Sequence, residues 1–212
     1  MKTLIHEEVY RGEALLKSIA ECSLVFCGVG AIGSNLVDNM IRQGFQKISA
    51  IDFDRVDDHN RNTQIWTRRD IGQLKVAALK AFAFNAMGVT IDAVSRKLET
   101  SNVGKLLKKG SLIIDGFDNP ESRGLVTSHC KEQSIDCLHV GLYRDVAEVT
   151  WNEVYTVPKA VKGMDVCEYP LARNIIMMAV TVATECVIRY LAEGKKESYL
   201  LTLKDLKISS KT

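Results

Sequence analysis

The sequence predicts an α/β fold: a Rossmann-like, mostly parallel sheet with helices on both faces and antiparallel C-terminal strands. Three observations carry this expectation. A short apolar run, Ser23 to Cys27, stops at a glycine. The glycine-rich segment Gly28-Val29-Gly30-Ala31-Ile32-Gly33 follows it and opens a helical pattern. Strand-like and helix-like stretches then alternate as far as Val140, at the pace of a doubly wound sheet.

Taken in order, residues 1–20 form a charged, helical N-terminal segment, and Ser23 to Cys27 a buried parallel strand. Ile32, Leu36, Met40 and Ile41 recur at helical spacing, and Gly44 stops that helix. Ile48 to Ile51 is a second strand, ending at Asp52. A helix over Ile71 to Met87, a third strand over Thr90 to Val94 and a short helix over Asn102 to Lys109 follow. Leu112 to Asp115 and Asp136 to Val140 are the fourth and fifth strands, separated by a helix over Glu121 to Gln133. Beyond Gly141 the alternation over Ala147 to Thr156 predicts antiparallel strands at the sheet edge. Pro158 to Met164 reads as a mobile connection inside a short crossover region, about 142–170. A long helix from Pro170 to Ala192 and a strand from Glu197 to Leu203 complete the chain, with Pro in the first helical turn. No repeat or second domain is visible, so residues 1–212 read as one nucleotide-binding domain.

Composition narrows the function classes. Of 212 residues, 46% are hydrophobic and 25% charged, the balance of a globular protein able to bury a core without staples. A net charge of +2 gives no electrostatic case for nucleic acid or an anionic membrane. Six cysteines, at 22, 27, 130, 137, 167 and 186, show no CxxC spacing, so no structural zinc is expected. Cys22, Cys27 and Cys186 read as small buried thiols. The N-terminus is too charged for a signal peptide, and the apolar stretch Ile175 to Ala183 is too short to span a bilayer. A reduced cytoplasm is the expected compartment.

The glycine segment carries the chemistry. Gly28 permits the tight turn, Gly30 lets backbone approach phosphates, and Gly33 allows close helix packing. The helix then offers the free N–H groups of Ala31 and Ile32 to an anion. Asp52, 19 residues beyond Gly33, is placed to accept hydrogen bonds from ribose hydroxyls. The following run, with Asp54, Val56, Asn60, Arg61, Gln64 and then Gly72-Gln73-Leu74-Lys75, suits a triphosphate better than a dinucleotide. Lys75 would supply a point charge to phosphate oxygens; a solvated surface lysine is the bland alternative. Asp118, in Asp115-Gly-Phe-Asp118-Asn-Pro-Glu-Ser-Arg123, is the candidate Mg²⁺ ligand, and Asp115 is balanced between metal and helix cap. His59 and His139 read as structural.

These residues together resemble the ThiF/MoeB/HesA family, the adenylating relatives of ubiquitin-activating enzymes. The resemblance implies a homodimer that binds Mg-ATP and activates a carboxylate as an acyl-adenylate. In the family that carboxylate ends a small ubiquitin-like, β-grasp sulfur carrier or a peptide. It also implies Asp52 on ribose, Lys75 on phosphates, Asp118 on magnesium, and Arg11 reaching across the dimer to the partner's ATP. Cys167 stands near the place where some relatives carry a sulfur- or acyl-handling cysteine. Three departures stand out: Thr63 replaces an arginine common before Gln64, the four zinc cysteines are absent, and the crossover is short. Arg61, Arg68 or Arg69 are the candidates to supply the missing charge. The rival readings are a non-catalytic nucleotide-binding scaffold and an NAD-dependent oxidoreductase.

Overall fold

The computed structural model describes residues 2–159 and 170–211. Their strands form one eight-stranded sheet in the order β3-β2-β1-β4-β5-β6-β7-β8. The parallel part comprises β1 (Ser23–Cys27), β2 (Lys47–Ile51), β3 (Asp92–Val94), β4 (Leu112–Asp115) and β5 (Asp136–Tyr143). The antiparallel part adds β6 (Val146–Trp151), β7 (Ser198–Thr202) and β8 (Lys207–Lys211).

Alternation along β1 divides the core between two faces. Leu24 and Phe26 join Leu36, Met40, Ile41, Leu79 and Val180 on one side. Val25 and Cys27 join Ile113, Val126, Cys130 and Cys137 on the other. The first face is covered by α2 (Glu13–Glu21), α3 (Ala31–Arg42), α4 (Lys75–Met87) and α7 (Arg173–Glu193). The second is covered by α5 (Val103–Leu107) and α6 (Pro120–Gln133), while α1 (Ile5–Arg11) precedes α2. Each fully buried Leu or Phe on these faces contributes about 1.5–3 kcal/mol through lost water contact.

The strand register positions the site. Cys27 lies level with Ile51 on one side and Asp115 on the other, and Asp115 lies level with His139. The carboxyl ends of β1, β2, β3 and β4 therefore share one row, with His139 of β5 beside Asp115. β1 sits between β2 and β4, so the chain leaves it in opposite directions on successive crossovers; the crevice outside such a switch is where open α/β sheets bind ligands.

Several boundaries differ from the sequence expectation. β5 runs through Gly141 to Tyr143 and turns at Arg144, which has a φ of +56°, into the β6 hairpin. Only one strand occupies Val146–Trp151; Asn152 leaves it, its side chain accepting from the Cys137 N–H at 3.2 Å. That strand is interior, because β7 and β8 extend the sheet beyond it. The final strand β8, unanticipated in Lys207–Lys211, pairs with β7 after a short turn. Helix α4 starts at Lys75 rather than Ile71, because Leu74 bridges Arg55 in extended conformation. Pro170 lies ahead of α7 instead of in its first turn, and Ala172 is the N-cap. At 21 residues α7 is long and apolar enough to cross a membrane by length and composition, contrary to the shorter stretch read from sequence. Here its apolar face, including Ile175, Ile176, Ala179, Val180 and Ala183, packs into the core. Of the connection expected over Pro158 to Met164, residues 160–164 lie outside the described residues.

Candidate functional site

The glycine turn is built by backbone contacts that no side chain would permit. Gly28 has a φ of +88° and donates its N–H to Ile51 O at 2.9 Å. A Cβ on Gly33 would lie 2.0 Å from Gly28 O, so α3 meets the turn with no room for a methyl group. A Cβ on Gly30, by contrast, would meet nothing within 4 Å. The space above Gly30 is open, as an approaching ligand requires. The first bond of α3 runs from Ser34 N to Gly30 O at 3.1 Å. The N–H groups of Ala31, Ile32 and Gly33 precede that bond and have no acceptor within the helix, which leaves them as anion donors.

Asp52 clamps this turn. Its Oδ2 accepts from Val29 N at 2.9 Å and its Oδ1 from Asp54 N at 2.8 Å. The residue is buried, and burial pushes its carboxyl above the usual carboxylate range, opposed by the Lys75 charge and the two N–H donors. Both oxygens retain lone pairs for a further donor.

Lys75 is delivered by a local clamp. Val56 N bonds Gln73 O at 2.9 Å, Gly72 N bonds Val56 O at 2.9 Å, and Lys75 N bonds Asp54 O at 2.9 Å. Its Nζ then lies 2.9 Å from Asp54 Oδ2, with the lysine side chain 10% exposed and the aspartate 50%. The ion pair therefore stands at the surface of the crevice, with a buried stem and an open acidic side.

Other predicted ligands serve local structure. Asn60 Oδ1 accepts from Asp57 N at 3.0 Å, closing a capping box. Gln64 is buried and accepts from Trp66 Nε1 at 2.5 Å. Arg61 pairs with Asp58 at 2.5 Å. Neither Arg61 nor the Arg68–Asp70 turn is bonded to Thr63. The cation that does approach this loop is Arg173, from the first residue of α7. Its Nη atoms lie 3.4 Å from Asn62 O and 3.4 Å from Asn35 Oδ1, while Asn35 Nδ2 donates to Thr63 O at 2.8 Å. Spacing along the chain gave no sign of that meeting.

Asp115 is not a candidate metal ligand. Its side chain is fully buried, and His139 Nδ1 lies 2.8 Å from its Oδ2 while Phe117 N donates to its Oδ1 at 3.1 Å. Nor does it cap α6, a role taken by Asn119, whose side chain accepts from Ser122 N at 2.9 Å. Asp118 sits just outside, exposed, with one hydrogen bond to its carboxylate among the described residues, from Asn119 Nδ2 at 3.4 Å. An exposed carboxylate at a strand-end crevice is an oxygen donor of the kind Mg²⁺ takes. His139 is buried beside Asp115: burial holds the imidazole below the ordinary histidine range, against the pull of that carboxylate.

Arg11 lies away from its own chain's glycine turn. It bonds Glu7 at 2.6 Å, Glu185 at 3.0 Å and Gln43 at 3.2 Å. Gln43 caps the far end of α3, about 18 Å along a 12-residue helix from the turn. Cys22, Cys27, Cys130, Cys137 and Cys186 are all buried free thiols, and burial pushes Cys186 up to about 12. Cys167 falls outside the described residues.

A glycine-rich turn at the switch point of a doubly wound sheet, with acids at two strand ends, defines a Rossmann-type architecture. Residues 4–187 match the ThiF family, and the chain belongs to that family. It is 27% identical over 134 residues to SUMO-activating enzyme subunit 2 of Dictyostelium discoideum, covering 61% of this chain and 20% of that protein. It is 28% identical over 111 residues to the sulfur carrier protein adenylyltransferase of Thermus thermophilus, covering 51% and 41%. Among solved structures, Escherichia coli MccB with MccA-N7isoASN superposes with a TM-score of 0.83 at 14% identity, over 98% of this chain and 70% of that one. The matched regions span less than half the length of both of those curated relatives, and the MccB likeness establishes the fold.

Two tests follow from this geometry. Gly33→Ala should lose about 1–3 kcal/mol of stability through overpacking against the Gly28 carbonyl. Gly30→Ala should change stability by less than about 0.5 kcal/mol yet weaken nucleotide binding, as denaturant titration and calorimetry will report. The second concerns pH. A histidine whose folded pKa lies below its unfolded value near 6.5 contributes stability above that value and loses it as pH falls through the folded pKa. The denaturation midpoint should drop between pH 7.5 and pH 5.5, and His139→Asn should flatten that limb while leaving the carboxylate contributions below it.

Proposed function

We propose that this protein is an ATP-dependent adenylyltransferase. It activates the C-terminal carboxylate of a small ubiquitin-like, β-grasp sulfur carrier, or of a peptide, as an acyl-adenylate. The observation that carries this reading is the convergence at one crevice of the open Gly30 turn, the Asp52 clamp, the Lys75–Asp54 pair and the exposed Asp118. The relatives support it: one is named as a sulfur carrier protein adenylyltransferase, another as adenylyltransferase and sulfurtransferase MOCS3 of Arabidopsis thaliana, and MccB is known as a complex with ATP.

The chemistry needs no side-chain base, because the attacking carboxylate is already ionised at neutral pH. Its oxygen forms a bond to the α-phosphorus, the bond from that phosphorus to the β-bridging oxygen breaks, and pyrophosphate leaves with the electron pair. The protein's task is orientation and charge stabilisation. Asp52 positions the ribose, and the Ala31 and Ile32 N–H groups face phosphate oxygens. Lys75 exchanges part of its contact with Asp54 for phosphate. Asp118 would hold the magnesium ion, which neutralises developing phosphate charge when bound. Among the described residues no group of three or more potential metal ligands occurs, so such an ion would rest on Asp118 and substrate oxygens. Arg11 acting across a homodimer, a cytoplasmic location and acyl or sulfur handling by Cys167 belong to the same proposal.

ATP–pyrophosphate exchange tests it. Exchange should require a candidate carrier with a free C-terminal carboxylate. Asp118→Ala should lower the rate by about 100-fold or more without shifting the denaturation midpoint. Sustained ATP binding without exchange for any carrier would leave a nucleotide-binding scaffold, and tighter binding of NAD than of Mg-ATP would leave an oxidoreductase fold. Cys167→Ala should still form the adenylate but stop before any thioester or persulfide, which mass spectrometry of the carrier will detect.

A further inference from the structure

The loop that carries Asp118 is held at both ends by contacts the adenylation reading does not use. Gly116 N bonds Cys27 O at 2.9 Å, and Asn119 caps α6. Between them the Phe117 peptide groups are gripped on both sides. Its N–H donates to Asp115 Oδ1 at 3.1 Å, and its carbonyl accepts from Arg123 Nε at 2.5 Å. Asp118 follows directly, so the direction of its carboxylate is set by how Phe117 is held.

Asp115 can hold Phe117 only while its other oxygen is satisfied. That oxygen is fully buried, and among the described residues its donor within hydrogen-bond distance is His139 Nδ1 at 2.8 Å. Arg123 Nη1 is at 3.8 Å and is committed elsewhere. Its Nη1 donates to Tyr155 Oη at 2.9 Å, and its Nη2 to Val140 O at 2.6 Å. The carboxylate is an acceptor only, so the imidazole proton resides on Nδ1. Nε2 is then a buried lone pair, and among the described residues it has no hydrogen-bond partner. The ring is instead fixed by stacking flat on Tyr155, with centroids 3.7 Å apart and planes within 5°. His139, Asp115, Phe117, Arg123 and Tyr155 thus close a cycle of contacts around the two peptide units that flank the Phe117 Cα.

We propose that His139 is a positioning residue for Asp118: by donating to Asp115 it fixes the Phe117 peptide and so aims the Asp118 carboxylate into the nucleotide crevice. This rests on the adenylyltransferase reading for what Asp118 meets there, but the loop geometry stands independently. Two variants separate the donor from the ring. His139→Asn keeps an N–H near the Nδ1 place and loses the ring; His139→Phe keeps the ring and loses the donor. Should the Phe variant fail to fold, His139→Leu takes its arm.

Amide hydrogen exchange of the nucleotide-free full chain is the first readout. Exchange at Phe117 should quicken by about tenfold in the donor-free variant and return towards wild type in His139→Asn, with β1 and α3 unchanged. Calorimetry of Mg-ATP against AMP is the second. The donor-free variant should bind Mg-ATP about tenfold more weakly with AMP unaffected, and in an Asp118→Asn background it should add nothing, since the two residues act as one unit. Equal losses for AMP and Mg-ATP, additive effects of the 139 and 118 substitutions, or no recovery with asparagine would overturn the proposal. If wild type binds no Mg-ATP, the adenylyltransferase reading falls, and the exchange measurement alone decides whether His139 holds the loop.

Discussion

The contact between the Gly28 carbonyl and the first turn of α3 constrains everything around it. A Cβ at position 33 would sit 2.0 Å from that oxygen, so the helix approaches the strand end as closely as backbone allows. This closeness starts α3 directly from the turn and leaves the N–H groups of its first turn without acceptors in the helix. It also brings Val29 N within 2.9 Å of Asp52, which locks the end of β2 against the end of β1. Were the helix one methyl group further away, the donors, the acid and the open space over Gly30 would no longer face one another.

A second regularity links the two sides of β1. The strands flanking it each end in a buried aspartate used as a backbone clamp: Asp52 accepts from Val29 and Asp54, and Asp115 accepts from Phe117. Each clamp is followed within three residues by an exposed acid, Asp54 or Asp118. Buried charge is costly, and here the cost is offset by backbone N–H donors and, for Asp115, by His139. The buried acid shapes the loop and the exposed acid stays open to solvent. This division of labour explains why acids so close in sequence have opposite environments.

The antiparallel half of the sheet gives the site its outer wall. β6 brings the stretch containing Tyr155 back over the ends of β4 and β5, where its hydroxyl meets Arg123 and its ring meets His139. Helix α7 brings Arg173 to Asn35 and Asn62 beside the glycine turn. The glycine turn and its Asp52 clamp are thus local to the first half of the chain, whereas Tyr155 and Arg173 come from segments over a hundred residues later.

That division sets what could be read from sequence. The glycine turn, β1 and the position of Asp52 at a strand end were legible because their causes are local, a left-handed φ, a close approach and a strand end lying within about 25 residues of each other, whereas the use of Asp52 as a clamp on Val29 and Asp54 was not. The exposure of Asp118 at a strand end was equally local. The pairing of His139 with Asp115, the capture of Phe117 by Arg123 and the arrival of Arg173 depend on which strand lies beside which. Strand neighbours are fixed by packing over the whole sheet, and no residue pattern at position 139 encodes the partner at 115. The missed β8 and the late start of α4 have the same origin, since a hairpin edge in one case and a bridge to Arg55 in the other overrode the local pattern. The sequence by itself determined the glycine turn and the acids at two strand ends; tertiary packing decided which acid is buried, what holds it, and that Arg173 arrives beside Asn35 and Asn62.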